Sequence, residues 1–345
     1  MKLLRVGFTN GDINGIGLEM LIKTLACPEM LELCTPVIFS DQNVLRQTIQ
    51  TIDLENPLDF DTVRSANDII NGRVNLVNVC NEPVNVEWGA QTEQSLKAEA
   101  NSLNAAIEAY KNNLIDLLVC CPGQLDNDFD SHSLSDFIRQ ALGEPKNEFD
   151  WIVNGDLRML LLHSIAFTTE LGEGMAIEAF MNDITAINHQ LREDFGYIRP
   201  RIAVLSQNQK LGADITELRE HGLVIFGPFD AKSFIEAGNH RHYDAVLFLE
   251  EEEARHALID SLDATKTIGY VAGLPLVLSY PLVPVSHEEA GRGTADETPL
   301  REALYAAIDI WRNRENTRHA THHPLEKQWI PKGRDDFKLD LTKDE

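Results

Sequence analysis

Basic side chains are scarce in this chain: 30 Lys and Arg stand against 55 Asp and Glu, a net charge of −25 over 345 residues. A surface this acidic repels phosphate backbones and anionic headgroups, so no nucleic acid and no membrane surface is expected as a partner. It also works against small anionic substrates unless a local basic pocket overrides the global field. Long hydrophobic runs are missing as well. Nothing approaches the roughly 18 unbroken apolar residues of a membrane span, and the opening MKLLRVGFTNGD carries no apolar signal region. The expectation is a cytoplasmic protein, neither secreted nor membrane-spanning. Cysteine is sparse and odd in number. Cys27, Cys34, Cys80, Cys120 and Cys121 form no CxxC pair, which fits a reduced compartment better than a disulfide framework or a zinc site. Cys120 and Cys121 end an apolar run and read as core filling. No fixed-period repeat, Gly-x-Ser-x-Gly elbow or Cys/His triad signature is present.

What is there alternates. Leu3–Phe8, Pro36–Phe39, Val74–Val79 and Ile115–Cys121 read as strands bounded by turn residues, as do Met159–Leu162, Arg201–Leu205, Gly222–Ile225 and Ala245–Leu249. Between them, Ile16–Leu25, Ser95–Asn112, Met175–Phe195 and Leu300–Arg312 read as helices. In the second of these, Leu96, Ala100, Leu103, Ile107 and Tyr110 fall at three- and four-residue intervals. Strands alternating with helices imply an α/β protein with largely parallel sheets covered on both faces. Arg314–Glu345 is polar, carries Pro324 and Pro331, and reads as an extended tail packed on the body.

The first strand runs into Thr9-Asn10-Gly11-Asp12-Ile13-Asn14-Gly15-Ile16-Gly17, with a helix beginning near Leu18. Glycines at that place allow a tight turn and can expose N–H groups to an anion. The spacing is neither a Walker A loop nor the dinucleotide fingerprint, and a purely structural turn is the favoured reading.

That opening resembles the 4-hydroxythreonine-4-phosphate dehydrogenase family of pyridoxal phosphate biosynthesis, through Thr9, Gly11-Asp12, Gly15-Ile16-Gly17 and Glu19. The likeness extends along nearly the whole chain. Asp116–Pro122 resembles the strand before the family's Pro-x-x-Lys loop, and Leu157-Arg158 resembles the start of a strand that in the family ends at a metal-binding histidine. Asp194-Phe195-Gly196, Pro200–Leu205, Tyr243–Val246, Gly273-Leu274-Pro275 and Ala290-Gly291-Arg292-Gly293 follow in order. The resemblance implies two α/β domains around a cleft, similar to isocitrate and isopropylmalate dehydrogenases. The first domain is expected over 1–130 plus about 295–345, the second over about 131–294. It further implies a dimer with sites completed across the interface. Three histidines would hold a divalent metal (zinc, magnesium or cobalt) that polarises the substrate alcohol during hydride transfer to NAD.

The chain departs from that pattern at its chemistry. Placed from their flanking motifs, the three histidine positions fall on Ile165, Lys210 and Glu251. Isoleucine cannot ligate, lysine adds positive charge where a cation should sit, and one carboxylate does not make a site. The lysine of Pro-x-x-Lys falls on Leu125, and a Gly-His-Thr-Glu motif falls on Ser133–Asp136, before Phe137. The arginine after Gly-Leu-Pro falls on Leu278, and Asp-His-Gly on Leu282-Val283-Pro284. Charged phosphate contacts have become aliphatic. His163, His132 and His256 lie near three of these positions. Two residues along a strand is about 6–7 Å, too far to serve the same metal.

No metal or cofactor is therefore expected, NAD and a divalent metal returning only if the family activity survives. In that case Asn208 and Gly273 are the candidate cofactor contacts; Lys210 with Glu251 is a candidate acid–base pair for a third reading, a new enzyme on the old scaffold. The expected identity is a degenerate homologue with a ligand-binding or partner role, as a homodimer or a heterodimer with an active homologue. The rival is a working dehydrogenase with a rebuilt site. Other polar clusters have bland readings: Glu250–Glu253 as a charged turn, His240 and His242 as loop surface, His319, His322 and His323 as exposed. His287-Glu288-Glu289 stands where the family has Phe-Asp-Ile, and a histidine beside a carboxylate is a conceivable new acid–base pair.

Overall fold

The computed structural model describes residues 3–80, 84–123, 133–143, 149–162, 173–249 and 252–322. Its strands are β1 (Leu4–Thr9), β2 (Cys34–Ser40), β3 (Asp61–Val63), β4 (Asn75–Asn78), β5 (Leu117–Val119) and β6 (Phe149–Asn154). The chain continues with β7 (Leu157–Leu161), β8 (Arg201–Leu205), β9 (Val224–Phe229), β10 (Ala245–Phe248), β11 (Thr267–Ala272) and β12 (Leu278–Pro281). All join one sheet in the order β3-β4-β2-β1-β5-β12-β11-β6-β7-β10-β8-β9.

The sheet is mixed rather than largely parallel. From β3 to β12 every neighbour is parallel, and so is every neighbour from β7 to β9. In between, β11 is antiparallel to both β12 and β6, and β6 is antiparallel to β7. The two parallel blocks therefore run in opposite directions. Sequence reading missed β6, β11 and β12, the strands that make this reversal. Close approach explains one of them: a Cβ at Gly269 in β11 would lie 2.1 Å from the Tyr280 ring in β12, so only glycine fits there.

The helices are α1 (Gly17–Leu25), α2 (Met30–Leu33), α3 (Gln42–Ile52), α4 (Glu93–Lys111) and α5 (Ser133–Leu142). They continue with α6 (Glu173–Glu193), α7 (Leu211–Glu220), α8 (Ala231–Glu236), α9 (Glu252–Asp260) and α10 (Thr298–His322). Strand alternation sorts the core by face. Val6, Phe8, Leu117, Val204 and Leu247 join α1, α6, α7 and α10 in one continuous cluster. On the other face, Val37, Phe39 and Leu118 pack under α4 and α5, while Ala203, Val246 and Phe248 pack under α8 and α9. No helix among the described residues is long and apolar enough to cross a membrane.

Two expected helices differ in detail. In α4, Leu96 is exposed, and the buried stripe runs instead through Ser95, Ala98, Ser102, Leu103, Ala106 and Ile107. Small residues let the helix lie close to the sheet: Ser102 Oγ donates to Phe39 O and accepts from the Asn10 N–H. At the other end of the chain, α10 continues through 314–322, which had read as tail. Arg314 explains the extension. Its Nε meets Asp194 Oδ1 at 2.6 Å, its Nη1 donates to Leu274 O at 2.9 Å, and its Nη2 donates to the Tyr270 hydroxyl at 2.7 Å. Residues 323–345 lie outside those described.

Candidate functional site

Two sheet edges compete for the role of site. The first is the carboxyl end of β1, where the glycine-rich opening leaves. Gly11 sits at φ +58°, and a Cβ there would be 2.2 Å from Pro122 O. Four amides of the loop bond within the protein. Asp12 N–H donates to Pro122 O (3.0 Å), Gly15 N–H to Asp12 O (3.1 Å) and Ile16 N–H to Val285 O (3.1 Å). Asn14 N–H goes to Asp12 Oδ1 at 2.9 Å. At the start of α1, Glu19 is buried, pairs with Lys23 at 3.2 Å and accepts the Ala295 N–H at 2.7 Å. Lys23 in turn donates to Gly293 O and Ala295 O. Asn14 holds the segment before α4, accepting from Glu87 N–H and donating to Ala90 O. The opening is a structural knot tying three distant segments together, as the favoured reading of its glycines requires.

One titratable pair stands out in that knot. His287 Nε2 lies 2.7 Å from Asp12 Oδ2, with Asp12 fully buried and the His287 side chain 28% exposed. The carboxylate beside His287 is thus Asp12 rather than its neighbours Glu288 or Glu289. Ser286 at φ +51° turns the chain just before it.

The second edge is the carboxyl end of β7, β10 and β8. These strands are adjacent and parallel, so the three family ligand positions follow strands that end on one edge. Lys210 is described there: it is exposed and stands at the N-cap of α7. Asn208 orders the turn, its Oδ1 accepting from the Lys210 N–H at 3.1 Å and its N–H donating to Ser206 Oγ at 3.0 Å. Ile165, Glu251, Leu125, His132 and His163 lie outside the described residues, so the proposed pairing of Lys210 with Glu251 does too. Glu252 and Glu253 open α9 rather than a loop.

Aliphatic replacements elsewhere are absorbed into the core. Leu278 is completely buried in β12, Leu134 is 8% exposed in the first turn of α5, and Val283 packs against the main cluster. Gly273, at φ +85° after β11, lines a cavity of about 540 Å³ with Tyr110, Asp194 and Arg314. Asn208 and Lys210 do not line it, so the two cofactor candidates do not share this pocket. Burial pushes the Tyr270 hydroxyl, which donates to Asp194 Oδ2 in the wall behind it, well above its ordinary pKa. Burial likewise pushes the Cys34 thiol up to about 12, making it inert.

The residues and their places can now be set beside known proteins. The family described as pyridoxal phosphate biosynthetic protein PdxA matches residues 32–307. The 4-hydroxythreonine-4-phosphate dehydrogenase of Bacteroides thetaiotaomicron is 32% identical over 356 residues, covering 98% of this chain and 97% of that protein. This chain belongs to the PdxA family. Among other relatives, the D-threonate 4-phosphate dehydrogenase of Cupriavidus necator is 21% identical, covering 88% of this chain and 96% of its own. Solved structures of 4-hydroxythreonine-4-phosphate dehydrogenases share the fold. That from Klebsiella pneumoniae gives a TM-score of 0.67 at 16% identity, over 90% of this chain and 100% of its own. That from Burkholderia phymatum gives 0.63 at 22%, over 90% and 99%.

Within the PdxA family the metal question becomes one of donor chemistry. Of the three positions expected from the family's histidine pattern, only Lys210 lies among the described residues, and a lysine side chain is not the histidine donor that pattern calls for. Among the described residues, no group of three or more His, Cys, Asp or Glu is placed to hold a metal ion. Sequence reasoning missed Asp12–His287 and Arg314–Asp194, because each joins residues more than 100 positions apart.

Proposed function

We propose that this PdxA-family chain has lost the family's metal-dependent dehydrogenation and retains the scaffold for a ligand-binding or partner role. Lys210 carries this reading. A lysine side chain at a metal-ligand position opposes a cation instead of binding it. The burial of Leu278, where the family pattern has an arginine, supports it: a phosphate contact has become core. A partner role would be as a homodimer or with an active homologue.

The second reading is a working dehydrogenase, favoured by 32% identity along nearly the full chain to a relative of that name. Its substrate would be 4-phosphohydroxy-L-threonine or D-threonate 4-phosphate. Calorimetric titration of metal-free protein with zinc, then with NAD and each substrate, separates the two. No zinc binding and no NADH formation is the expected result. One-to-one zinc binding followed by NADH formation would establish the second reading.

A further inference from the structure

Strands β1 and β5 are parallel neighbours, yet the chain leaves them toward opposite faces of the sheet. After β1 it packs as α1 on one face, and the helix that follows β5, α5, packs on the other. Where parallel neighbours part in this way, α/β sheets bind ligands in the crevice outside the strands' carboxyl ends. Asp12 stands at that point. It follows β1 by three residues, and its N–H donates at 3.0 Å to the carbonyl of Pro122, which follows β5 by three.

His287 meets Asp12 there with a defined orientation. Its Nε2 lies 2.7 Å from Asp12 Oδ2. An ionised carboxylate only accepts, so Nε2 carries the proton and the lone pair of the neutral ring is on Nδ1. Among the described residues the ring has no second hydrogen-bond partner, and Nδ1 is not enclosed, so it meets solvent. Both members are held rigidly. Asp12 is fully buried, and its other oxygen, Oδ1, accepts the Asn14 N–H at 2.9 Å. Around His287, Val285 O accepts the Ile16 N–H at 3.1 Å and Ser286 O accepts the Glu289 N–H at 3.0 Å. Gly89 closes on the same turn: a Cβ there would be 2.9 Å from His287 O. A carboxylate on one ring nitrogen, with the other nitrogen open, is the arrangement in which an imidazole accepts a proton from a bound group.

We propose that Asp12 and His287 form an acid–base dyad, in which His287 Nδ1 takes the proton of a hydroxyl group, from water or a small alcohol, at the carboxyl ends of β1 and β5. Asp12 is the positioning residue: it fixes the ring and offsets the positive charge the ring acquires. The transfer needs no metal, so it goes beyond the reading above and is tested apart from zinc binding.

Hydrolysis of p-nitrophenyl acetate by the full-length protein tests the dyad. Water gives a proton to Nδ1 as its oxygen bonds to the acetyl carbon. The p-nitrophenolate leaves with the electron pair of the broken C–O bond, and the imidazolium returns its proton to solvent. His287→Gln and Asp12→Asn are each expected to lower the rate about tenfold or more. The parent rate should also be slower in D2O, and that isotope effect should vanish in both variants, a change that a merely structural pair would not produce. His287 is partly exposed, so His287→Gln decides the matter if Asp12→Asn fails to fold. A rate unmoved by His287→Gln would overturn the proposal. So would a parent rate without an isotope effect, which would mean direct attack by the ring instead of proton transfer. A chain that binds no zinc and shows no such rate keeps the reading above and loses this one.

Discussion

The glycine-rich opening and the carboxyl edge of β7, β8 and β10 have met opposite fates within one chain. At the opening, every family motif residue is kept, and each is fixed by contacts inside the protein: Gly11 by its turn against Pro122, Glu19 by Lys23 and Ala295. At the other edge the one described position expected to carry a family histidine, Lys210, is exposed at the start of a helix. The difference teaches what each motif was for. A residue whose partners are backbone groups of its own fold cannot change without unfolding the chain. A residue whose partner was a metal or substrate can change once that ligand is dispensed with.

Five experiments would break or sharpen this contrast. The largest change should come from refitting the lost edge. The triple variant Ile165→His, Lys210→His, Glu251→His should gain zinc binding at about micromolar affinity, on the order of 8 kcal/mol, by calorimetry. Failure to gain it would show that these positions do not converge. Next, Gly11→Val should cost about 4 kcal/mol in urea unfolding, from a β-branched residue at positive φ and a clash with Pro122 O. A loss below about 1 kcal/mol would mean that the turn is not fixed. Glu19→Ala should cost about 3 kcal/mol, since it removes the carboxylate that offsets the Lys23 charge and leaves the Ala295 N–H without its acceptor in a largely buried place. A double-mutant cycle of Asp12→Asn and His287→Gln should return a coupling of about 1–2 kcal/mol. Additive losses would remove this pair from the knot. Lys210→Ala, the comparison's control, should stay within about 0.5 kcal/mol of the parent in the same unfolding assay.

How much could be read from residues alone varied by element. Arg201–Leu205 matches β8 at both ends, and Ala245–Leu249 matches β10 to within one residue, because continuous apolar runs flanked by turn residues give an unambiguous signal. Strands β6, β11 and β12 went unread. The four-residue β12 ends on Pro281, and β11 carries a glycine whose reason is the Tyr280 ring across the ladder. For the site, motif spacing located Lys210 and Leu278 but said nothing of their surroundings.

By itself, then, the sequence determined the family and the α/β class, because motif order and residue chemistry are properties of the chain. Only the tertiary structure decided that the two parallel blocks run in opposite directions, that the glycine motif packs against Pro122 and Val285, and that Asp12 meets His287. Such facts depend on which distant segments pack together, and that is set by burial and hydrogen-bond pairing across the whole sheet.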